Sequence, residues 1–207
     1  MVAIDQIKRF ERWRRRLPKN TAYLVRLVLD DVVPLFEARG FDRFHDYAAG
    51  STFAVGPNCI PLQRRSGAEW ATVEILFHKR GAPCLGVNFG MLPQTCHRLS
   101  LTEHRWIEIP RSEASVVEGP VFFCLCKGSR RNFNCNFGYR WLSVRPKRKL
   151  EREIKILISL LPWLFELFDH GIPPTWLKQP TGYVDRHAFM IRPPQSDPSA
   201  APRRPCP

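Results

Sequence analysis

No hydrophobic run in the sequence is long enough to form a membrane-spanning helix, which needs about 18 or more apolar residues in succession. The nearest candidate, residues 154–168, is shorter and is interrupted by Pro162 and Glu166. Charged residues such as Lys8 and Glu11 break up the apolar stretch that a secretory signal would need near the N-terminus. We therefore expect a cytoplasmic protein with no integral membrane insertion.

The short motifs of common catalytic and phosphate-binding sites are also missing. The sequence has no Gly-x-x-x-x-Gly-Lys-Ser/Thr loop, no Gly-x-Ser-x-Gly turn and no His-Glu-x-x-His pair. The only Glu-x-Lys triplet, a pattern that a metal-dependent nuclease would place on a strand, is residues 153–155, which fall in a predicted helix. We expect no cofactor and favour a protein that is not an enzyme.

The seven cysteines lack the paired spacing of a disulfide framework or a zinc site. Only Cys124 and Cys126 lie close together, and His97 follows Cys96, whereas a structural zinc site usually has two close pairs. We expect reduced thiols that pack as small hydrophobic residues, and no metal.

Acidic residues are scarce, and the basic excess is unevenly placed. Asp and Glu number 19 against 32 Lys and Arg, which gives a formal net charge of +13. Residues 1–20 carry seven basic and two acidic side chains, and residues 127–155 carry ten basic and two acidic ones. These two segments account for the whole excess. Such asymmetry favours an acidic protein, nucleic acid or an anionic membrane surface as partner, although positive charge also serves solubility.

Three segments show helical periodicity. Residues 4–16 predict a short basic helix that ends at Leu17-Pro18, because a residue before proline is pushed out of the helical region. A second helix should begin with Asn20 or Thr21 as cap and stop at Gly40. The third covers residues 147–170, with Pro162 expected to kink or split it and Glu151 and Lys155 at the spacing of an ion pair.

Alternating segments predict an antiparallel sheet. Residues 59–63, 70–77 and 85–89 read as consecutive strands joined by tight turns, with 70–77 half-buried. Residues 121–126 and 133–141 predict a second hairpin around Gly128-Ser129. Sequential hairpins give antiparallel pairing, since parallel strands need long crossovers.

Together these elements predict an α+β fold, with an antiparallel sheet of about five strands packed against N-terminal and C-terminal amphipathic helices. We divide the chain into a basic N-terminal helix (residues 1–20), a single α+β domain (21–178) and a Pro-rich, largely disordered tail (179–207).

Residues 34–93 resemble an uncharacterised bacterial family, domain of unknown function 4304. The resemblance is carried by Gly40-Phe41 at a helix end, by Phe53, by a strand ending at Gln63, and by the Val-Asn-Phe-Gly of residues 87–90. It implies a small α+β domain without an assigned catalytic constellation. The basic N-terminal helix and the Pro-rich tail depart from that pattern.

Two basic clusters are the candidate binding residues. In the strand predicted over residues 133–141, alternate aromatic residues face one side, and sheet aromatics beside basic side chains can stack bases and hold phosphates. The alternative is that the aromatic face is core and the basic residues are solvated. The candidates are Arg130, Arg131, Arg140, Arg145, Lys147, Arg148 and Lys149, together with Arg14, Arg15 and Arg16 of the first helix.

Two functions fit these features. The first is a non-catalytic interaction module, an accessory or antitoxin-like protein, that binds an acidic protein partner. The second is a nucleic-acid-binding protein that uses the basic patch of residues 127–155. The N-terminal helix fits either an anionic partner or simple docking of its apolar residues on the domain.

Overall fold

Four α-helices and nine strands make up the part of the chain that the computed structural model describes: residues 2–43, 56–93, 95–100, 105–110, 121–125, 136–139, 144–170 and 189–191. The helices are α1 (Val2–Arg14), α2 (Lys19–Leu27), α3 (Val33–Glu37) and α4 (Pro146–His170), and a π-helical segment, Val28–Val32, joins α2 to α3. The strands are β1 (Asp42–Arg43), β2 (Cys59–Ser66), β3 (Glu69–Phe77), β4 (Cys84–Leu92), β5 (Thr95–Ser100), β6 (Arg105–Pro110), β7 (Val121–Leu125), β8 (Phe137–Gly138) and β9 (Phe189–Ile191).

Most of the strands form one sheet. β1, β2, β3, β4 and β7 lie side by side in that order, and each neighbouring pair is antiparallel. β8 pairs with the beginning of β4, and β9 pairs in parallel with β7. β5 and β6 form a separate antiparallel pair. The predicted α+β fold with an antiparallel sheet of about five strands is confirmed, and β8 and β9 are short additions to it.

The predicted hairpin around Gly128-Ser129 is wrong. β7 pairs with residues 88–91 and β8 with residues 84–85, both antiparallel to β4. The two strands therefore run in the same direction along one edge of β4, whereas hairpin partners run in opposite directions. Two apolar segments around a Gly-Ser turn have the same local pattern whether they pair with each other or with a third strand. Residues 126–135, which join β7 to β8, lie outside the described residues.

The helices cover one face of the sheet and enclose the core. The predicted stripe of α4 is buried, as are the alternating residues of β3 from Ala71 to Phe77 that face it. α4 remains a single helix through the exposed Pro162, so of the two predicted outcomes, a kink or a split, the split is wrong. Within the described residues, none of the helices combines the length and apolar character that crossing a bilayer would require.

The helical path from α2 to α3 begins without a capping side chain and contains a π-helical segment. Pro18 stands at the N-cap of α2, and neither Asn20 nor Thr21 caps it as predicted. The π-helical segment precedes Pro34, which has no N–H and whose ring crowds the carbonyl of Asp30, so a wider turn replaces the α-helical bonds there.

Gly40 stops this path as predicted. Its φ of +77° is in the left-handed region that glycine adopts readily. The Phe41 N–H donates to the Phe36 carbonyl, the Gly40 N–H donates to the Glu37 carbonyl, and the two phenylalanine rings pack 5.4 Å apart. This is a Schellman ending with its usual apolar contact.

The α2–α3 path and α4 run parallel to each other. Near their beginnings, the Tyr23 hydroxyl bonds to Glu151. Near their ends, the Phe36 ring lies 5.2 Å from the Phe165 ring, and Arg39 reaches Asp169. Because the paired residues advance together along both helices, the N-termini of α2 and α4 lie at the same end of the molecule.

Of the two interpretations of the N-terminal helix, its apolar residues fit docking on the domain: Phe10 is buried in the core and the Trp13 ring lies 5.7 Å from Phe77. Ile7 of the same helix is 43% exposed. Phe189–Ile191 lies within the predicted tail but pairs with β7, since three consecutive apolar residues suit a strand despite the surrounding prolines. The rest of the predicted tail lies outside the described residues.

Candidate interaction surface

The end of α1 and the start of α2 lie against the turn between β3 and β4. Pro18 packs against Gly81 of that turn, and the buried Thr21 hydroxyl donates to the Gly81 carbonyl. Arg14, the last residue of α1, and Arg15 and Arg16, which follow it, are exposed and lie shortly before Pro18 in the sequence. Basic residues of the first segment are therefore held beside the sheet rather than projecting away from it.

The start of α4 meets the start of α2 at Tyr23. The Tyr23 ring has the Arg26 guanidinium carbon 5.0 Å from its centre and the Lys147 Nζ 5.5 Å from its centre. The hydroxyl donates to Glu151 Oε1 at 2.5 Å. This hydrogen bond, followed by burial and the charge of Glu151, raises the pKa of Tyr23, while Arg26 opposes the rise. One tyrosine thus joins cations from both helices.

Tyr139 makes a second junction, next to β8. Its N–H donates to the Pro83 carbonyl, and the Lys149 Nζ lies 5.5 Å from its ring centre. Its hydroxyl is buried without a hydrogen-bond partner of ordinary geometry among the described residues. Burial raises the pKa of Tyr139, and nearby Asn20 opposes that rise. Tyr139 therefore ties α4, β8 and the β3–β4 turn to the start of α2.

These contacts bring cations from four elements to one end of the molecule, which we call the basic end. Its members lie at or just after the end of α1, in the first turn of α2 (Lys19) or its last turn (Arg26), at the start of α4, or in the β3–β4 turn. They are Arg14, Arg15, Arg16, Lys19, Arg26, Lys79, Arg80, Arg145, Lys147, Arg148 and Lys149. All of them are exposed except Lys149, which is half-buried.

The helix dipoles add to this positive charge. Each helix carries a partial positive charge at its N-terminus, where acidic residues are normally favourable. Neither α2 nor α4 has an acidic residue in its first turn, and α4 instead begins with Lys147, Arg148 and Lys149. The surface therefore combines side-chain charge and dipole charge of the same sign.

Most of the predicted binding residues meet at this end. Arg14, Arg15 and Arg16 from the first segment and Arg145, Lys147, Arg148 and Lys149 from the second belong to the basic end. Arg130, Arg131 and Arg140 lie outside the described residues. Sequence reasoning missed Lys19, Arg26, Lys79 and Arg80, because they belong to the surface only through the packing of α2 and the β3–β4 turn. Tyr23 was missed as well, since its role depends on α4.

Of the two interpretations of the aromatic strand, the described residues fit a core face rather than a stacking platform. Phe137 is fully buried in the core, at the centre of the strand that was predicted to display its rings. The alternative explanation, in which this face belongs to the core, holds there because Phe137 pairs beside Leu85 on the side that the helices cover.

Buried polar groups occur at Glu153 of α4 and on the face of the sheet that is opposite the helices. Glu153, in α4, is buried, and its Oε2 accepts a hydrogen bond of 3.3 Å from the Gly138 N–H. Thr72 and Glu74 of β3 are also buried, so the prediction of a half-buried strand is wrong. Alternation of apolar and polar residues reports side-chain polarity and not whether the polar face is covered.

Cys59 lies on this second face, fully buried. Burial raises the pKa of the Cys59 thiol well above its ordinary value, and nearby Glu74 raises it further. The thiol therefore remains protonated at neutral pH, a poor state for a nucleophile or a metal ligand. Among the residues that the structure describes, no group of three or more His, Cys, Asp and Glu side chains is arranged to hold a metal ion.

Comparison with known proteins gives no further guide to function: no family model, curated protein or solved structure matches the chain.

Proposed function

We propose that this protein is a non-catalytic interaction module that binds an acidic protein partner through its basic end. One observation supports this more than any other: Arg26 and Lys147, which are more than 120 residues apart in the sequence, both contact the ring of Tyr23. If the basic residues served solubility alone, we would not expect them to cluster at the N-termini of α2 and α4, where the positive end of each helix dipole makes positive charge unfavourable. A partner that supplies carboxylates would offset both contributions.

Nucleic acid is the second candidate, and the contacts of the aromatic residues favour a protein over it. Stacked bases need free aromatic faces. The rings of Tyr23 and Tyr139 carry Arg26, Lys147 and Lys149 against them, and Phe137 is in the core. Val144, directly before Arg145, is 98% exposed and offers the apolar contact that protein interfaces combine with charge.

The test compares a fluorescent peptide rich in glutamate with a single-stranded oligonucleotide of the same net charge, by fluorescence anisotropy at low salt. We expect the peptide to bind, with an affinity that falls as salt is added. The double substitution Lys147→Glu and Arg148→Glu should weaken binding about tenfold or more, equivalent to about 1.4 kcal/mol.

The matched control reverses two exposed arginines away from the basic end, Arg43→Glu and Arg65→Glu, and its melting temperature shows that it stays folded although Arg43 pairs with Glu37 at 2.7 Å. Arg65 precedes the β2–β3 turn, at the opposite end of β3 from the β3–β4 turn. The control changes net charge by the same amount and should affect binding much less. An equal loss of affinity in the two double variants would show that binding depends on net charge alone. Tighter binding of the oligonucleotide would favour the second candidate, and no binding of either probe would refute both.

A further inference from the structure

A carboxylate of the chain itself lies within the basic end. Glu151 is half-buried in the second turn of α4, and its Oε1 accepts the 2.5 Å hydrogen bond from Tyr23. The sequence predicted that Glu151 would pair with Lys155 one turn along the same helix. Instead, the side chain reaches across to α2. Glu151 therefore bonds to a residue 128 positions earlier in the chain.

The groups around this carboxylate make a small recognition site. Tyr23 supplies a hydroxyl donor that is protonated at neutral pH, as a tyrosine ordinarily is, and the bond to Glu151 raises its pKa further. Arg26 and Lys147 lie against the same ring and add positive charge. A protonated hydroxyl on a ring that two cations contact is complementary to a carboxylate, because the hydrogen bond fixes the oxygen and the nearby cations stabilise its charge.

We propose that Tyr23, Arg26 and Lys147 form a carboxylate-binding site, which Glu151 occupies in the free protein and which an Asp or Glu side chain of the acidic partner takes on binding. This inference rests on the proposed function, since it names the group of the partner that is recognised. Glu151 acts as an internal competitor, and its partial exposure leaves the site open to exchange.

Exchange of one carboxylate for another preserves the hydrogen bond of Tyr23. The incoming carboxylate therefore gains only the difference between its own contacts and those of Glu151. It follows that removing the charge of Glu151 should strengthen binding of an acidic peptide, and that the gain should require the Tyr23 hydroxyl. An effect of net charge alone would not depend on that hydroxyl.

The experiment is a double-mutant cycle on binding of the same glutamate-rich peptide, with Glu151→Gln, Tyr23→Phe and the combination of both. Gln keeps the size of the side chain but competes only as a neutral acceptor. We expect Glu151→Gln to tighten binding about two- to fivefold, the range that one exposed ion pair contributes. In the Tyr23→Phe background this gain should disappear.

Glu11→Gln is the matched control. Glu11 is an exposed carboxylate that pairs with Arg14 of the basic end at 3.2 Å, but it does not touch Tyr23. Its substitution should give a smaller gain, equal in both backgrounds. Thermal melting of every variant shows that each is folded.

The outcomes separate the two proposals. The carboxylate site is overturned if Glu151→Gln does not raise the affinity, or if it raises the affinity equally with and without the Tyr23 hydroxyl. In either case, binding of the peptide by the wild-type protein still supports the proposed function. Binding by Glu151→Gln but not by the wild-type protein supports the site. If neither protein binds the peptide, both proposals fail.

Discussion

At the scale of single residues, Gly138 has the most demanding position in the described structure. Its φ is +110°, and a Cβ at this position would lie 2.2 Å from the Pro83 carbonyl oxygen. Its N–H also donates to buried Glu153. The missing side chain allows β8 to approach the start of β4 closely, which places Tyr139 beside α2 and α4. One glycine thus helps to assemble the basic end.

Gly138→Ala should lower the free energy of unfolding by about 3 kcal/mol, because it adds both backbone strain and a steric clash. Urea denaturation followed by circular dichroism measures this change. Gly67→Ala is the control, since Gly67 has a φ of +61° but no atom within 4 Å of an added Cβ. It should cost about 1 kcal/mol. Equal costs at the two positions would show that the clash at Gly138 is relieved without penalty.

At the scale of elements, α4 begins with the wrong charges for its own stability. Lys147, Arg148 and Lys149 lie at the positive end of the helix dipole. Lys147 and Lys149 at least contact the rings of Tyr23 and Tyr139. Arg148 is exposed in the first turn, so it contributes positive charge to the surface and is unfavourable to the helix.

Arg148→Glu should therefore raise the free energy of unfolding by about 0.5 kcal/mol at low salt, although it weakens binding of an acidic peptide. Thermal and urea unfolding in about 20 mM salt would reveal the gain, which should shrink in high salt. Lys155→Glu, an exposed change in the interior of the same helix, should have a smaller effect. A loss of stability on Arg148→Glu would mean that Arg148 makes a stabilising contact.

The elements that the sequence predicts correctly are those whose pattern is local. The stripe of α4, the stop at Gly40 and the β2–β3–β4 hairpins each depend on residues within a few positions of one another. The pairing of β7 and β8 with β4 is not local, and the same segments satisfy the pattern of a hairpin. The π-helical segment also escapes prediction, because Pro34 near a helix start is equally compatible with an ordinary first turn.

At the scale of the whole molecule, positive charge among the described residues is concentrated at the end where α2 and α4 begin. Toward the other end, Asp169 of α4 is bonded by Arg64 at 2.6 Å and approached by Arg39 at 3.5 Å. Positive and negative side chains are therefore paired there, whereas the basic end has cations in excess. Repulsion among those cations opposes the compact state.

Moderate salt should consequently stabilise the protein. Raising sodium chloride from about 20 to about 300 mM shortens the Debye length from about 20 Å to about 6 Å. We expect the melting temperature to rise by about 2–4 °C, corresponding to about 1 kcal/mol of relieved repulsion. Differential scanning calorimetry measures this shift, and the Lys147→Glu, Arg148→Glu double variant should show a smaller one. A melting temperature that falls with salt would mean that attractive pairs outweigh repulsion.

The basic end could be predicted from the sequence in its parts but not as a surface. Both basic segments stand out by charge alone. Whether Arg16 and Lys147 lie on the same side depends on two helices running parallel and on Tyr23 facing α4, and neither property has a local signature. The same limit explains why Glu151 was assigned to Lys155, its neighbour in the helix, and not to a tyrosine on another element.

The parallel arrangement of the helices also bears on how the chain reaches its native state. The bonds from Tyr23 to Glu151 and from Arg39 to Asp169 join residues 128 and 130 positions apart. Two antiparallel helices joined by a short loop can associate early, but here strands β1 to β8 lie between the partners in the sequence. Contacts between residues so far apart in the sequence require large loops to close, and this slows folding. During synthesis α2 is completed long before α4. In that interval the apolar face of α2 lacks its α4 partner, and exposed apolar surface on a nascent chain favours aggregation.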